Sequence, residues 1–332
     1  MNASSTPTPG NLSRFAKLVV AATFLLILVG GHTTTTGAGM AFPDWPLSNG
    51  SLNPEGWLTN FFMFLEHSHR LTAGLVAGLV SVLFGWVLRR RAILPRGTVA
   101  LALAAFIGVF AQAVLGGLRV VLDPQGVAAT TTAIATTFRI LHGCFAQIEL
   151  CLLVALAAML SPVWTQIAAS PRLRGVRRLG WSTAGFVFLQ LIAGATMRHL
   201  GAGLAIPTFP QMPDGGWMPR VHNAFIDLNF THTRLGAVLV TLLVIALVLR
   251  AIGTADPRIV RPAALLLGLL AAQIALGMFV IWNVRPPILT TLHVVNGAAL
   301  LATTVLLAVR ASGGAKRASP SASQSKLAEA RA

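Results

Sequence analysis

The chain has 332 residues, of which 55% are hydrophobic and 10% charged, and its mean hydropathy is +0.74. A soluble globule carries roughly 25% charged residues, so this composition excludes one and identifies an integral membrane protein. The formal charge of +16 raises nucleic acid as a partner, but the cations are placed as a membrane protein places them.

Runs of about 20 apolar residues mark helices long enough to cross a bilayer. They predict spans near 15–37, 61–88, 97–118, 134–162, 179–200, 227–250, 261–284 and 287–311. Residues 1–12 and 312–332, rich in Ser, Pro, Ala and basic residues, read as disordered tails. Arg14 and Lys17 precede the first span. Arg89, Arg90, Arg91 and Arg96 follow the second, Arg172, Arg174, Arg177 and Arg178 the fourth, Arg250, Arg258 and Arg261 the sixth, and Arg310, Lys316 and Arg317 the eighth. The alternate loops read as nearly bare, and 38–60 has no Lys or Arg. The positive-inside rule then puts both termini in the cytoplasm, or on the matrix side of an organelle. The short segment before span 1 is too brief for a cleavable transit peptide, which favours a multi-pass protein of a bacterial inner membrane.

The chain repeats itself. Residues 30–46, GGHTTTTGAGMAFPDWP, align without gaps on 194–210, GATMRHLGAGLAIPTFP, and Gly30, Gly37, Ala38, Gly39, Ala41, Pro43 and Pro46 all recur. Gln112, Leu115 and Gly116 match Gln273, Leu276 and Gly277; His69 matches His232, and Leu141-His142 matches Leu292-His293. The predicted fold is all-α: two tandem four-helix bundles, 13–165 and 175–311, of like orientation, related by a pseudo-two-fold axis along the membrane normal.

Each of His69, His142, His232 and His293 lies a few residues inside the outer start of a span. At ~1.5 Å per residue they share a depth of roughly 8–12 Å. Ionisable side chains inside a membrane are costly and mark function. Opposed imidazoles within a bundle suit axial ligation of haem iron, so the pattern predicts two bis-histidine haem sites. Arg70, Arg139 and Arg234, within three positions of His69, His142 and His232, are candidate partners for haem propionates. Gly74, Gly78 and Gly236 either clear room for a flat macrocycle or serve close helix packing.

Glu66-x-x-His69-Arg70, the Gly-Ala-Gly-x-Ala-x-Pro-x-x-Pro loop, Arg139-x-x-His142, His232-x-Arg234 and Leu292-His293, on a duplicated eight-span layout, resemble the haem A synthase family of cytochrome oxidase assembly over about residues 15–311. The resemblance implies oxidation of a methyl group of the substrate haem O to the formyl group of haem A, by successive hydroxylations and loss of water. It also implies an unidentified electron donor and contact with haem O synthase or oxidase assembly proteins; oligomerisation is compatible with it. The substrate haem is expected on His69 and His142, and a resident haem b on His232 and His293. Only the first pair has a carboxylate one turn away, Glu66; its repeat partner is Asn229. Glu66 is therefore the candidate catalytic residue, for proton transfer or for hydrogen bonding to the hydroxylated intermediate; the competing reading pairs it with Arg70 at i, i+4.

Some members of that family carry a cysteine pair in the first outer loop; residues 38–60 contain none. Cys144 and Cys151, one helical face apart by ~10 Å, are too distant for a disulfide and read as packing residues. His67, His32, His199 and His222 read as interfacial, Gln112 and Gln273 as helix-bridging or haem-rim residues, and Glu149 as either a proton-path residue or a neutral hydrogen-bonded one. Two rival functions fit the histidines: a di-haem electron carrier, which requires equal halves, and a haem transporter or chaperone.

Overall fold

The computed structural model describes residues 10–123, 133–168 and 170–313, and helices dominate it. They are α1 (Gly10–Thr35), α2 (Phe61–Arg90), α3 (Thr98–Val121), α4 (Ala133–Met159), the short α5 (Pro162–Thr165), α6 (Pro171–His199), α7 (Ala224–Phe230), α8 (Ala237–Ile252), α9 (Pro257–Trp282) and α10 (Pro287–Arg310). A π-helical segment, Thr231–Gly236, joins α7 to α8 without a break. Eight stretches among the described residues are long and apolar enough to cross a membrane, Ala224–Ile252 counting as one. The chain is thus a multi-pass membrane protein. We call the end bearing Arg89–Arg91 and Arg172–Arg178 inner, and the opposite end outer.

Helix starts follow local chemistry. Asn60 caps α2 by accepting from the N–H groups of Phe62 and Met63, and Asn223 caps α7 in the same way through Phe225 and Ile226. Ser170 caps α6 and Asp256 caps α9, each followed by a proline at the first helical position. The Ser170 cap explains why α6 begins at Pro171, eight residues before the expected span: the arginine-rich turns stay helical below the apolar stretch. Likewise α1 begins at Gly10, so 10–12 are helical where a tail was expected. Residues 1–9 and 314–332 of the expected tails lie outside the described residues.

Within the first half, α1 packs on α2, α2 on α3 and α3 on α4; within the second, α6 packs on α8, α8 on α9 and α9 on α10. Between them, α1 meets α10, α4 meets α6, and α4 meets α10. Exchanging α1 for α6, α2 for α8, α3 for α9 and α4 for α10 maps this set of contacts onto itself, which is consistent with the expected two-fold relation. One apolar core joins α1–α4; a second joins α6, α8, α9 and α10 and extends onto α4. In lipid, close approach at small residues drives such packing: a Cβ on Gly180 of α6 would lie 3.0 Å from that of Ala308 on α10. Helix α10, which carries His293, is the most enclosed of the spans.

Candidate functional site

Each of the four histidines lies against a glycine of a neighbouring helix. A Cβ built on Gly30 of α1 would stand 2.6 Å from His69 Cε1, and on Gly194 of α6, 2.7 Å from His232 Cε1. On Gly116 of α3 it would stand 3.0 Å from His142 Cε1, and on Gly277 of α9, 3.2 Å from His293 Cε1. Gly30 and Gly194 are repeat equivalents, as are Gly116 and Gly277, so one cradle is built twice. The glycines singled out from sequence behave otherwise. Gly74 and Gly78 have nothing within 4 Å, and Gly236 makes room for the Gln190 amide, whose Cδ would lie 2.8 Å from its Cβ.

In the second half the rings of His232 and His293 face each other with centroids 6.5 Å apart and planes at 78°. Metal–imidazole bonds run about 2 Å, and two of them in line, plus the depth of each ring, match this separation, so the pair fits one iron between two rings. Both rings are braced. His232 Nδ1 lies 3.1 Å from the carbonyl of Gln190, and Gln190 Nε2 donates back to the His232 carbonyl at 2.6 Å. Donation by Nδ1 leaves Nε2 free as a ligand. Gln273 Nε2 lies 3.3 and 3.2 Å from the two ring nitrogens of His293, and its Oε1 accepts from Asn296 Nδ2 at 2.7 Å.

The first half is less braced. His69, His142 and Arg119 lie within electrostatic reach of one another, yet Nδ1 of both histidines is buried without a partner among the described residues. Gln112 donates to the His142 carbonyl at 2.8 Å, and its Oε1 is unsatisfied. The two pairs therefore differ in how firmly their ring orientation is held.

The π-helical turn explains a sequence irregularity. Asn60 and Asn223, Glu66 and Asn229, and His69 and His232 are each separated by 163 residues, but Arg70 and Arg234 by 164. The second repeat has one residue more between histidine and arginine, and the wider turn absorbs it, as π-bulges do at functional sites. The arginines consequently keep equivalent places. Arg70 donates to the carbonyls of Asp44, at 2.7 Å, and Leu47; Arg234 donates to those of Thr208 and Gln211, at 2.8 and 3.3 Å, their repeat partners. Both clamp an outer loop.

Glu66 and Asn229 also hold the loops, in opposite senses. Glu66 Oε2 accepts from Ala41 N at 2.5 Å and Phe42 N at 3.1 Å, and Oε1 binds Arg70 Nη2 at 2.6 Å. Asn229 Nδ2 donates to the carbonyls of Ala202 and Gly203 at 2.9 and 3.1 Å. Glu66 thus makes the i, i+4 ion pair with Arg70. The other proposed propionate partner, Arg139, binds Asp123.

Several residues escaped the sequence reading. The outer end is not bare of cations: Arg119, Arg198 and Arg285 gather there with Arg70, Arg139 and Arg234, and Arg198 feels both Arg119 and Arg285. Arg119 and Arg198 lie in the last turns of α3 and α6, and Arg285 in the short connection between α9 and α10. His67 is buried, not interfacial: Ser48 Oγ lies 3.0 Å from its Nδ1, and its ring is 4.7 Å from that of Trp57. His222 is exposed beside Asp227 at 2.7 Å, and His32 Nδ1 lies 3.5 Å from Thr291 Oγ1. Glu149 is buried with neither carboxylate oxygen hydrogen-bonded. Cys144 and Cys151 are free. In the first outer loop, burial raises the Asp44 pKa, but the N–H groups of Gly50 and Asn49, each 2.7 Å from an oxygen, outweigh it and hold the group below its usual range.

Fold and site together define a class: a duplicated eight-span membrane protein with one intramembrane histidine pair in each repeat. The family model described as cytochrome oxidase assembly protein matches residues 13–305. The haem A synthase of Symbiobacterium thermophilum is 34% identical over 264 residues, covering 76% of this chain and 80% of that protein. The human haem A synthase COX15 is 27% identical over 316 residues (83% and 76%), and that of Bacillus cereus 26% over 330 (95% and 100%). The chain belongs to the cytochrome oxidase assembly family that includes the haem A synthases.

Proposed function

We propose that this protein is a haem A synthase, an oxidoreductase that converts the substrate haem O to haem A for cytochrome oxidase. The observation that carries this reading is the twice-built histidine and glycine cradle, with unequal bracing in its two copies. Two successive hydroxylations turn the methyl carbon into a gem-diol, which loses water to leave the formyl group; with dioxygen as the oxidant, each hydroxylation places one oxygen atom in a C–H bond and reduces the other to water with two electrons from the donor and two protons.

The unequal bracing supports a division of labour. A resident ligand pair benefits from fixed rings, and His232 and His293 are held by Gln190 and by the Gln273–Asn296 chain. A site that must release its product benefits from looser ligands, which suits His69 and His142. When bound at His232 and His293, haem b supplies one-electron redox chemistry. Around the first site, Glu66 and Arg70 tie the loop 41–47 over the helix end, which excludes water and orients the substrate. Proton transfer by Glu66 requires its release from Arg70, so the carboxylate acts as a latch as well as an acid–base group. The arginines at the inner loops support cytoplasmic termini and an inner-membrane location.

The test is expression in a bacterium that makes haem O, followed by chromatography and mass spectrometry of the extracted haems. Haem A together with haem B is the expected result. Two haem B per chain with haem O unconverted makes the protein an electron carrier instead.

A further inference from the structure

Two arginines lie near the outer ends of helices that each carry a glycine under a ligand histidine; Arg119 acts on both His69 and His142. Arg119 lies on α3, three residues beyond Gly116, the glycine under His142. Arg198 lies on α6, four residues beyond Gly194, the glycine under His232. Residues three and four apart share a helix face, and both helices run towards the outer end. Each arginine therefore stands one turn outward of a glycine that faces a ligand histidine.

Neither guanidinium is satisfied. Arg119 Nε and Arg198 Nη2 are buried without partners among the described residues. The acids nearest Arg119, Glu66 and Asp123, are committed to Arg70 and Arg139. Arg70 and Arg234 are themselves occupied by loop carbonyls, and Arg139, though its Nε is free, is held by Asp123. Keeping an unpaired cation beside an apolar site is costly, and the fold makes specific room for it. A side chain on Gly39 would collide with the Arg119 guanidinium, its Cβ lying 3.2 Å from Cζ. At the equivalent Gly203, a Cβ would lie 3.2 Å from Arg285 Cδ, and Arg285 follows Val284 in two consecutive left-handed conformations, φ 58° and 57°. A β-branched residue at positive φ is strained, so backbone strain is accepted where this third arginine is presented.

A planar guanidinium with free N–H groups is matched to a carboxylate. On the reading given under Proposed function, the ligand beside each arginine is a haem, which carries two propionate carboxylates. We propose that Arg119 receives a propionate of the haem bound between His69 and His142, and that Arg198 does the same for the haem between His232 and His293. This moves the anchoring role from Arg70 and Arg234, which brace loops, and Arg139, which binds Asp123, to two arginines that each keep a buried donor without an acceptor among the described residues.

The discriminating experiment uses the full-length protein, purified with its second site loaded, and titrates the first site with haem b and with haem b dimethyl ester, read by the Soret band. The wild type is expected to bind the diacid about tenfold more tightly or better, the factor of one charge-assisted hydrogen bond. Arg119→Gln erases the preference, Arg119→Lys restores part of it, and His69→Ala abolishes binding of both. Equal binding of diacid and ester by the wild type overturns the anchor while leaving the histidine site intact. Binding insensitive to His69→Ala defeats the haem-site reading itself. Because the ester comparison is made on the wild type, a variant that fails to fold does not shield the proposal. For the second site, Arg198→Gln is expected to lower the midpoint potential of the bound haem, since a cation favours the reduced, less positive centre; an unchanged potential removes Arg198 from the role.

Discussion

Replacing Gly194 by alanine adds a single methyl group, and the structure fixes what that methyl meets. Its Cβ would stand 2.7 Å from His232 Cε1, whereas ordinary contact begins at 3.4 Å. The ring must retreat by about 0.7 Å or more, several times the ~0.2 Å tolerance of a metal–ligand bond. Helix α6 cannot absorb the strain by moving, because Gln190 on the same helix is bonded to His232 at two points. Overpacking of this kind costs roughly 1–3 kcal/mol, against about 0.5–1 kcal/mol gained from alanine in a helix. The protein should therefore fold and yet lose its second-site haem. Gly277→Ala is the control: its Cβ would lie 3.2 Å from His293 Cε1, a few tenths of an ångström from ordinary contact, and most haem should be retained. Haem-to-protein ratio by pyridine haemochrome assay, with low-spin haem EPR on the same samples, separates the two variants. If Gly194→Ala keeps a full complement of haem with an unchanged EPR signal, the cradle has no role in ligand placement.

Three further outcomes follow from the same contacts. Glu66→Gln removes the charge facing Arg70 and sets an NH2 donor either against the Arg70 guanidinium or against the N–H groups of Ala41 and Phe42; haem A formation should fall at least tenfold with haem b retained, measured by haem extraction. Deleting Thr233 removes the residue that the π-helical turn absorbs and leaves His232 next to Arg234, as His69 is next to Arg70, so the second-site haem should be retained, whereas Gln190→Ala, which removes a brace of His232, should lose part of it, both read by haem-to-protein ratio. Because the folded pKa of Asp44 is depressed, the loop contacts to Asn49 and Gly50 are fully present above the usual carboxylate range and are lost as pH falls through the lower folded value; hydrogen exchange at Asn49 and Gly50 should accelerate there, and Asp44→Asn should abolish that pH dependence.

Span number, repeat and the four histidines were legible because each rests on a property of the one-dimensional chain: apolar run length, self-similarity, and an ionisable residue inside an apolar run. Boundaries moved where capping chemistry extended a helix beyond its apolar stretch, as Ser170 and Pro171 did for α6. The glycines under the histidine rings were harder to read, because those nearest His69 in sequence, Gly74 and Gly78, are on its own helix, while the ring rests on Gly30 of the helix beside it. The role of an arginine was harder still to read. Whether it braces a loop or stays unpaired depends on which carbonyls and carboxylates reach it, and Arg70 lies 23 to 28 residues from its loop acceptors. The π-helical turn left one visible trace, the extra residue in His232-Thr233-Arg234, which acquires meaning only when both arginines are seen to grip equivalent carbonyls.

The reversed hydrogen bonding of Glu66 and Asn229 bears on how two copies of one ancestral unit drift apart. In the first copy the loop turns amide hydrogens towards the helix, and in the second it turns carbonyl oxygens. An acceptor beneath one and a donor beneath the other are each right only for the backbone above them. Exchanging Glu66 and Asn229 while leaving the loops in place would set oxygen against oxygen in one copy and take away a charged acceptor in the other. Loop and latch are thus a single heritable part: a graft between the halves succeeds only if residues 38–47 travel with Glu66, or 202–211 with Asn229.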